Sequence, residues 1–303
     1  MSLPTPHLEK LNATLQNDKL PHSERSRVEA AIERYSKWIS SLSNVEGDSD
    51  TIIEKMVNLL DEYKHYIDMD LIFDSPNDFL YRQKGQLKLD NSIIEEFLPW
   101  LINPSVIPEL ADDITSGPTT CFSSIYFSSK LDFPTRGGGM HIRSKAQDFA
   151  LSRKLFIKTS HNPDFSDPAD GETYIAYIAI EVKTNLDKTM FQEACATAHD
   201  VNSVVSGAKY FLLCEWLDMT PLSTAPTDID EILILRCAKR LSSNIRKNFS
   251  SKDGRQKNRD GFENFLKTNP FKVEVFKRIV NHIKGVLDDD DPNEEDVLVH
   301  GFF

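Results

Sequence analysis

Residues 174–183 read Tyr-Ile-Ala-Tyr-Ile-Ala-Ile-Glu-Val-Lys, seven apolar or aromatic positions that end in a carboxylate and an ammonium two residues apart. Side chains alternate faces along a strand, so Ile178, Ile180 and Val182 suit a core while Glu181 and Lys183 project together from the opposite face. Placing two charges at the end of such a run costs stability unless something compensates. A buried salt bridge is one compensation. A divalent cation is the other, because it takes hard oxygen ligands while a nearby lysine orients or deprotonates an attacking water. The second acidic-x-Lys triplet of the chain, Glu62-Tyr-Lys64, falls in an amphipathic helical stretch. There positions i and i+2 face apart, and a solvated pair is expected.

Hydrolysis at a metal needs a second carboxylate. Strands expected over Phe149–Lys158 and Tyr174–Lys183 flank the turn-forming segment Asn162–Gly171, with two prolines, which makes them antiparallel neighbours. Asp164 follows Pro163, but it sits at the turn, well over ~20 Å from Glu181 at ~3.3 Å per residue. Symmetric pairing about the turn instead sets Asp148 opposite roughly Lys183. Asp148 is therefore the expected partner.

The flanking sequence places this hairpin in a larger pattern. Residues up to about 117 read as helices: one from Ser23 to about Leu42, one capped by Asp48–Asp50 with Ile52, Met56, Leu59, Leu60 and Tyr63 on a face, and one over Ser92–Leu101. From Pro118 the apolar segments run strand (Phe122–Phe127), strand, strand, helix (Thr189–Val205), strand (Tyr210–Leu217) and strand (Glu231–Ala238). This order predicts an α/β fold, a mixed central sheet flanked by helices, with a mainly helical N-terminal region. The expected division is 1–117 helical, 118–287 the sheet domain and 288–303 an acidic C-terminal tail. Helical periodicity returns over Phe271–Val286. The four cysteines, Cys121, Cys195, Cys214 and Cys237, have no metal or disulfide spacing and read as buried free thiols. No leader opens the chain and no apolar run approaches the ~20 residues of a bilayer span, so a cytoplasmic, membrane-free protein is expected.

A net charge of −12 argues against nucleic acid until its distribution is counted. Residues 1–117 carry 11 basic and 21 acidic side chains, a net of −10; residues 236–284 carry 14 and 4, a net of +10. A polyanion responds to the local patch. The segment with Arg236, Lys239, Arg240, Arg246, Lys247, Lys252, Arg255, Lys257 and Arg259, interleaved with Ser, Asn, Gly and Gln, suits phosphate and base-edge contacts. The Gly137-Gly138-Gly139 loop, flanked by Arg136, Arg143 and Lys145, reads as a mobile DNA-contacting arm or an ordinary surface loop, and matches no phosphate-binding motif. Lys188 can contact phosphate, and Gln192 and Glu193 can orient the lysine. His141 and His199 stand without a second histidine at ligand spacing.

The longer wording resembles a known family. Gln147-Asp148-Phe149, then Ile178-Ala-Ile-Glu-Val-Lys-Thr-Asn-Leu-Asp-Lys-Thr-Met-Phe-Gln-Glu-Ala194, then Lys209-Tyr-Phe-Leu-Leu-Cys-Glu-Trp-Leu-Asp218, is similar to the PD-(D/E)XK nuclease superfamily and, within it, to BbvCI-like type II restriction endonucleases. The likeness covers about residues 120–285, and Gln147 stands where the superfamily name has proline. It implies that Asp148 and Glu181 hold Mg²⁺ with the Val182 carbonyl and that Lys183 serves the attacking water. It also implies double-stranded DNA cut at an asymmetric site, by a homodimer or a heterodimer with a related subunit. A repair or recombination nuclease of the same superfamily, or a non-catalytic DNA-binding subunit, are the alternatives.

Overall fold

The computed structural model describes residues 3–288 together with 294, 298, 299 and 301. Most of the acidic tail, including Asp289–Asp291, Glu295 and Asp296, lies outside the described residues. Five strands form one sheet in the order β1-β2-β3-β4-β5: β1 Thr115–Phe127, β2 Met140–Thr159, β3 Ala169–Leu186, β4 Lys209–Leu217 and β5 Glu231–Ile234. The first three strands are antiparallel, and β4 and β5 add in parallel to β3. A parallel step needs a crossover. Between β3 and β4 it is helix α6, Lys188–Asn202, whose start is fixed by Asp187 accepting from the Met190 N–H at 3.0 Å.

The helices that precede the sheet are α1 Pro6–Leu15, α2 His22–Ser43, α3 Ser49–Tyr66, α4 Phe79–Gln83 and α5 Ser92–Phe97. A π-helical turn, Ile67–Phe73, extends α3, and a 3₁₀ turn, Leu98–Ile102, follows α5, which ends early because Pro99 has no N–H to continue it. After β5 come α7 Ser243–Arg246, α8 Lys252–Lys257, α9 Arg259–Thr268 and α10 Val273–Leu287. One face of the sheet, with Phe149, Ile178, Ile180, Val182, Phe211 and Leu213, joins the N-terminal helices and α10 in a single core. The opposite face, with Ala150, Ala179, Tyr210, Leu212 and Cys214, packs on α6. The result is a mixed sheet between two helical layers, as the apolar pattern predicted. Among the described residues no helix is long and apolar enough to cross a membrane.

Helix α1 is not marked by the sequence pattern, β1 starts earlier and β5 ends sooner than expected, and β2 and its hairpin differ most. Strand β2 begins at Met140, so the stretch before Phe149 is paired with β1. A straight strand of 20 residues would span over ~60 Å, yet β2 curls until its ends meet: Thr159 Oγ1 donates to the carbonyl of Gly137 at 2.8 Å. Gly137 makes this closure possible with φ +55, because a Cβ there would lie 2.3 Å from that of Ala169. The hairpin register also shifts. Phe149 pairs with Ile180, where symmetry about the turn would give Val182, because the turn closes earlier and a bulge between Leu151 and Ser152 recovers only one residue.

Buried charge ties the layers together. Lys64 is 1% exposed, with its ammonium 2.5 Å from Asp68 and 3.2 Å from Glu215 of β4. The solvated Glu62–Lys64 pair expected from helical geometry is thus corrected, since the lysine turns inward and leaves Glu62 at the surface. Glu215 also takes Arg236 Nε at 2.8 Å, and the two cations hold its carboxyl below the usual range despite complete burial. Among the cysteines, Cys121 and Cys214 are buried and Cys195 is half-buried, while Cys237, expected inside, is exposed on the turn after β5.

Candidate active site

The register shift brings Asp148 level with Glu181, on the face that packs against α6. Asp148 Oδ2 accepts from the Val182 N–H at 3.0 Å, so the aspartate replaces a ladder hydrogen bond and is locked to β3. Glu181 Oε1 lies 2.7 Å from Lys183 Nζ. Its other oxygen, Oε2, accepts from the hydroxyl of Tyr210, a fully buried residue of β4. Burial, first, and then the charge of Glu181 push the Tyr210 phenol far above its ordinary range, so it remains a donor. Burial works against the Lys183 charge, but the hydrogen bond and charge of Glu181, helped by Asp148 and Glu193, hold its pKa above the usual lysine value.

A third side enters from the N-terminal region. Asn91 Nδ2 donates to the Val182 carbonyl at 3.0 Å and to Glu95 Oε1 at 3.1 Å. The Lys88 ammonium lies 3.6 Å from Glu95 Oε1 and 3.8 Å from Asp148 Oδ1. Glu95 is 5% exposed, and burial followed by the Asp148 charge raises its pKa. Tyr210, Lys88, Asn91 and Glu95 carry no sequence signal that points here. The first depends on the β3–β4 register, and the others on how α5 docks.

The remaining candidates are dispersed. Asp164 is on the β2–β3 turn, where it accepts from the Ser166 N–H at 3.1 Å. Arg136 meets Asp167 at 3.0 Å at the tip of the curled hairpin, about eleven residues, or roughly 35 Å of strand path, from Asp148. That glycine loop is pinned to Thr159 and Ala169, so the mobile arm is corrected to a closed tip. Arg143 lies over the Tyr126 ring at 4.7 Å and Lys145 pairs with Asp200 at 3.2 Å. His141 stacks on Tyr126 and His199 pairs with Asp228 at 2.8 Å. Lys188, Gln192 and Glu193 are exposed near the start of α6.

The basic segment needs a larger correction. Arg255 is 1% exposed and gives its donors to Asp78 and to the carbonyls of Phe73, Ser75, Asn77 and Phe249. It cannot reach DNA. Arg236 is equally buried against Glu215 and Asp61, and Arg259 is spent on Asp74 and Glu263. Part of the +10 surplus therefore neutralises acids of the N-terminal region, Asp61, Asp74 and Asp78. Arg240 and Arg246 share Asp218, and with Lys247 they rim a cavity of about 350 Å³ lined by Tyr81, Trp216, Phe249 and Phe262. Lys247 and Lys257 are exposed.

The donor set suits a hard cation. Two carboxylates and a carbonyl oxygen converge, and each carboxylate is met by an ammonium, Glu181 by Lys183 and Asp148 by Lys88. Among the described residues no three His, Cys, Asp or Glu side chains gather as a complete ligand cage, so water or substrate oxygens would have to finish the coordination.

A family model described as Bpu10I restriction endonuclease matches residues 86–303, well over half of the chain. The chain belongs to the Bpu10I restriction endonuclease family. It is a type II site-specific endonuclease, and DNA is its substrate. No curated protein sequence matches. Among solved structures, a chain of "native BbvCI A2B2 tetramer at low resolution" superposes with a TM-score of 0.54 at 20% identity, over 81% of this chain and 88% of that one. The likeness at that identity is one of fold, and it extends the family's matched segment back into the N-terminal helices.

Proposed function

We propose that the chain is one subunit of a Mg²⁺-dependent restriction endonuclease that hydrolyses phosphodiester bonds of double-stranded DNA at an asymmetric site, with the strands divided between two related subunits. The observation that carries the reading is the convergence of Asp148, Glu181 and Lys183 on one face at the mouth of the β2–β3 hairpin. Asp148 and Glu181 would hold the cation, with the Val182 carbonyl, which accepts from Asn91 and keeps a second lone pair, as the third oxygen. A divalent cation there supplies Lewis-acid polarisation of the phosphate and acidifies a bound water. Lys183, with its pKa held up beside Glu181, is an ammonium at neutral pH. Its role is to donate a hydrogen bond that orients the attacking water. Tyr210 holds Glu181 in place, and Lys188, Lys247 and Lys257 are the basic side chains assigned to phosphate contact, which their exposure supports.

The A2B2 composition named for the BbvCI structure supports pairing with a related subunit. A plasmid digest with Mg²⁺, run with the chain alone and with any similar protein encoded beside it, is expected to yield discrete fragments. Glu181→Ala and Lys183→Ala should abolish cutting while duplex binding persists. Smears, or no cutting under any divalent metal with both subunits present, overturn the reading.

A further inference from the structure

We propose that Lys88 is a DNA-contacting lysine of the active site, resting on Glu95 and Asp148 and passing to a DNA phosphate once a divalent cation takes Asp148. The proposal rests on the metal-dependent reading above and adds a residue from outside the strand hairpin.

Its first support is the backbone. Lys88 has φ +51, one of three non-glycine residues with positive φ among the described residues. Side chains with a Cβ avoid this region, and its persistence requires that the surroundings over-determine it. They do. The Lys88 carbonyl accepts from Ser92 Oγ at 2.6 Å and from the Ser92 N–H at 3.2 Å, and the next N–H, of the buried Leu89, reaches Lys84 at 3.0 Å. The turn is clamped on both sides so that the Lys88 side chain leaves it toward Asp148.

The second support is how that side chain is held. Its contacts, 3.6 Å to Glu95 and 3.8 Å to Asp148, are long beside the 2.7 Å of Lys183 on Glu181, and the side chain is 47% exposed. A structural ion pair would be shorter and more enclosed. Lys88 instead lies loosely over two carboxylates with one side open to solvent. Glu95 and Asp148 both face this ammonium, which moderates their repulsion.

The third support is electrostatic exclusion. A dication on Asp148 takes over that role and repels an ammonium beside it. The flexible stem of Lys88 can then swing outward on the open side, where a phosphate brings the opposite charge. Any cation that competes with the metal for Asp148 must weaken metal binding, and a cation that meets phosphate must strengthen DNA binding. Lys88 therefore acts on the two ligands with opposite signs.

The test uses the full chain with Lys88→Gln, which removes the charge and keeps most of the length, and Lys88→Arg. Ca²⁺ is titrated calorimetrically without DNA, then a random-sequence duplex is titrated in Ca²⁺ over a range of salt. Lys88→Gln is expected to bind Ca²⁺ about 3- to 10-fold more tightly and the duplex about 5- to 10-fold more weakly, with the salt slope reduced by about one. Lys88→Arg should keep most of the duplex affinity. A Lys88→Gln protein that melts like wild type and binds Ca²⁺ equally or more weakly, or the duplex equally well, overturns the proposal alone. A wild-type chain that takes up no metal, or does so unchanged in Glu181→Ala, overturns the metal-dependent reading and the proposal together. A Lys88→Gly variant relieves the backbone, so a gain in melting temperature with the same loss of duplex affinity ties the strain to the ammonium.

Discussion

Removing the Tyr210 hydroxyl tests how the site is held without touching any group proposed to meet metal or DNA. In Tyr210→Phe the ring stays in its fully buried seat on β4, and Glu181 loses the donor on Oε2 while keeping Lys183 at 2.7 Å on Oε1. A hydrogen bond to a charged group contributes about 1.5–3 kcal/mol. The Glu181 side chain is 14% exposed, so water replaces part of this, and a fall in folding stability of about 1–2 kcal/mol is expected. The freed carboxylate can rotate about its strand toward Lys183. Preorganisation for a cation then drops, and loss of an outer hydrogen bond to a ligating carboxylate weakens metal binding by roughly 10- to 100-fold. Tenfold corresponds to about 1.4 kcal/mol, within the ~1–2 kcal/mol left after water replaces part of the hydrogen bond. Calorimetric titration of Mn²⁺ and a urea melt of the same preparation read both quantities. If metal affinity is unchanged in a protein of reduced stability, Tyr210 fills space and does not set the Glu181 geometry.

Three further outcomes follow from the packing. Arg255→Ala strips donors from four carbonyls and Asp78 in a buried site and should destabilise by about 3–5 kcal/mol in denaturant; a loss below ~1 kcal/mol, with duplex binding selectively reduced, would restore the arginine to a DNA-binding role. Gly137→Ala sets a Cβ against Ala169 and the Thr159 carbonyl at a positive φ, for an expected cost of about 1–3 kcal/mol and faster hydrogen exchange at both hairpin tips; unchanged exchange there contradicts the closed tip. The Lys183 pKa is raised above 10.5 by Glu181 despite burial, so its contribution to stability is complete below that value and is lost as pH rises through the higher folded value. Lys183→Met should therefore flatten the alkaline limb of a stability profile, and an unchanged limb refutes the pairing.

Strand alternation made part of this site legible. Ile178, Ile180 and Val182 do line one core and Glu181 and Lys183 do share the other face, because period-two geometry is local. Hairpin symmetry points to Asp148, although it pairs two residues away from the symmetric estimate, since the turn closes earlier than its sequence midpoint and the bulge recovers only part of the offset. The basic segment misled for a different reason. Arg255 and Lys257 are two residues apart, yet one is buried and the other exposed, and composition cannot tell a charge that neutralises a distant helix from one that faces solvent. The first half of β2, Met-His-Ile-Arg-Ser-Lys-Ala-Gln, has few apolar residues to mark a strand, and it is pairing with β1 that makes it one. Lys88 and Glu95 could not be assigned at all, since only docking of α5 brings them to Asp148.

The charge that links the two ends of the chain also bears on when it can fold. Asp61, Asp78 and Asp74 wait on partners 175, 177 and 185 residues further along, Arg236, Arg255 and Arg259. As the polypeptide leaves the ribosome, Asp61 and Asp74 emerge long before their arginines, Asp78 has only Arg82 beside it, and contacts of such long sequence separation form late. The turn that carries Lys88 and Asn91 belongs to this same early region. A nascent chain thus has the residues of the candidate site before it has the means to hold them in register, and assembly of the site waits until Arg259 has emerged.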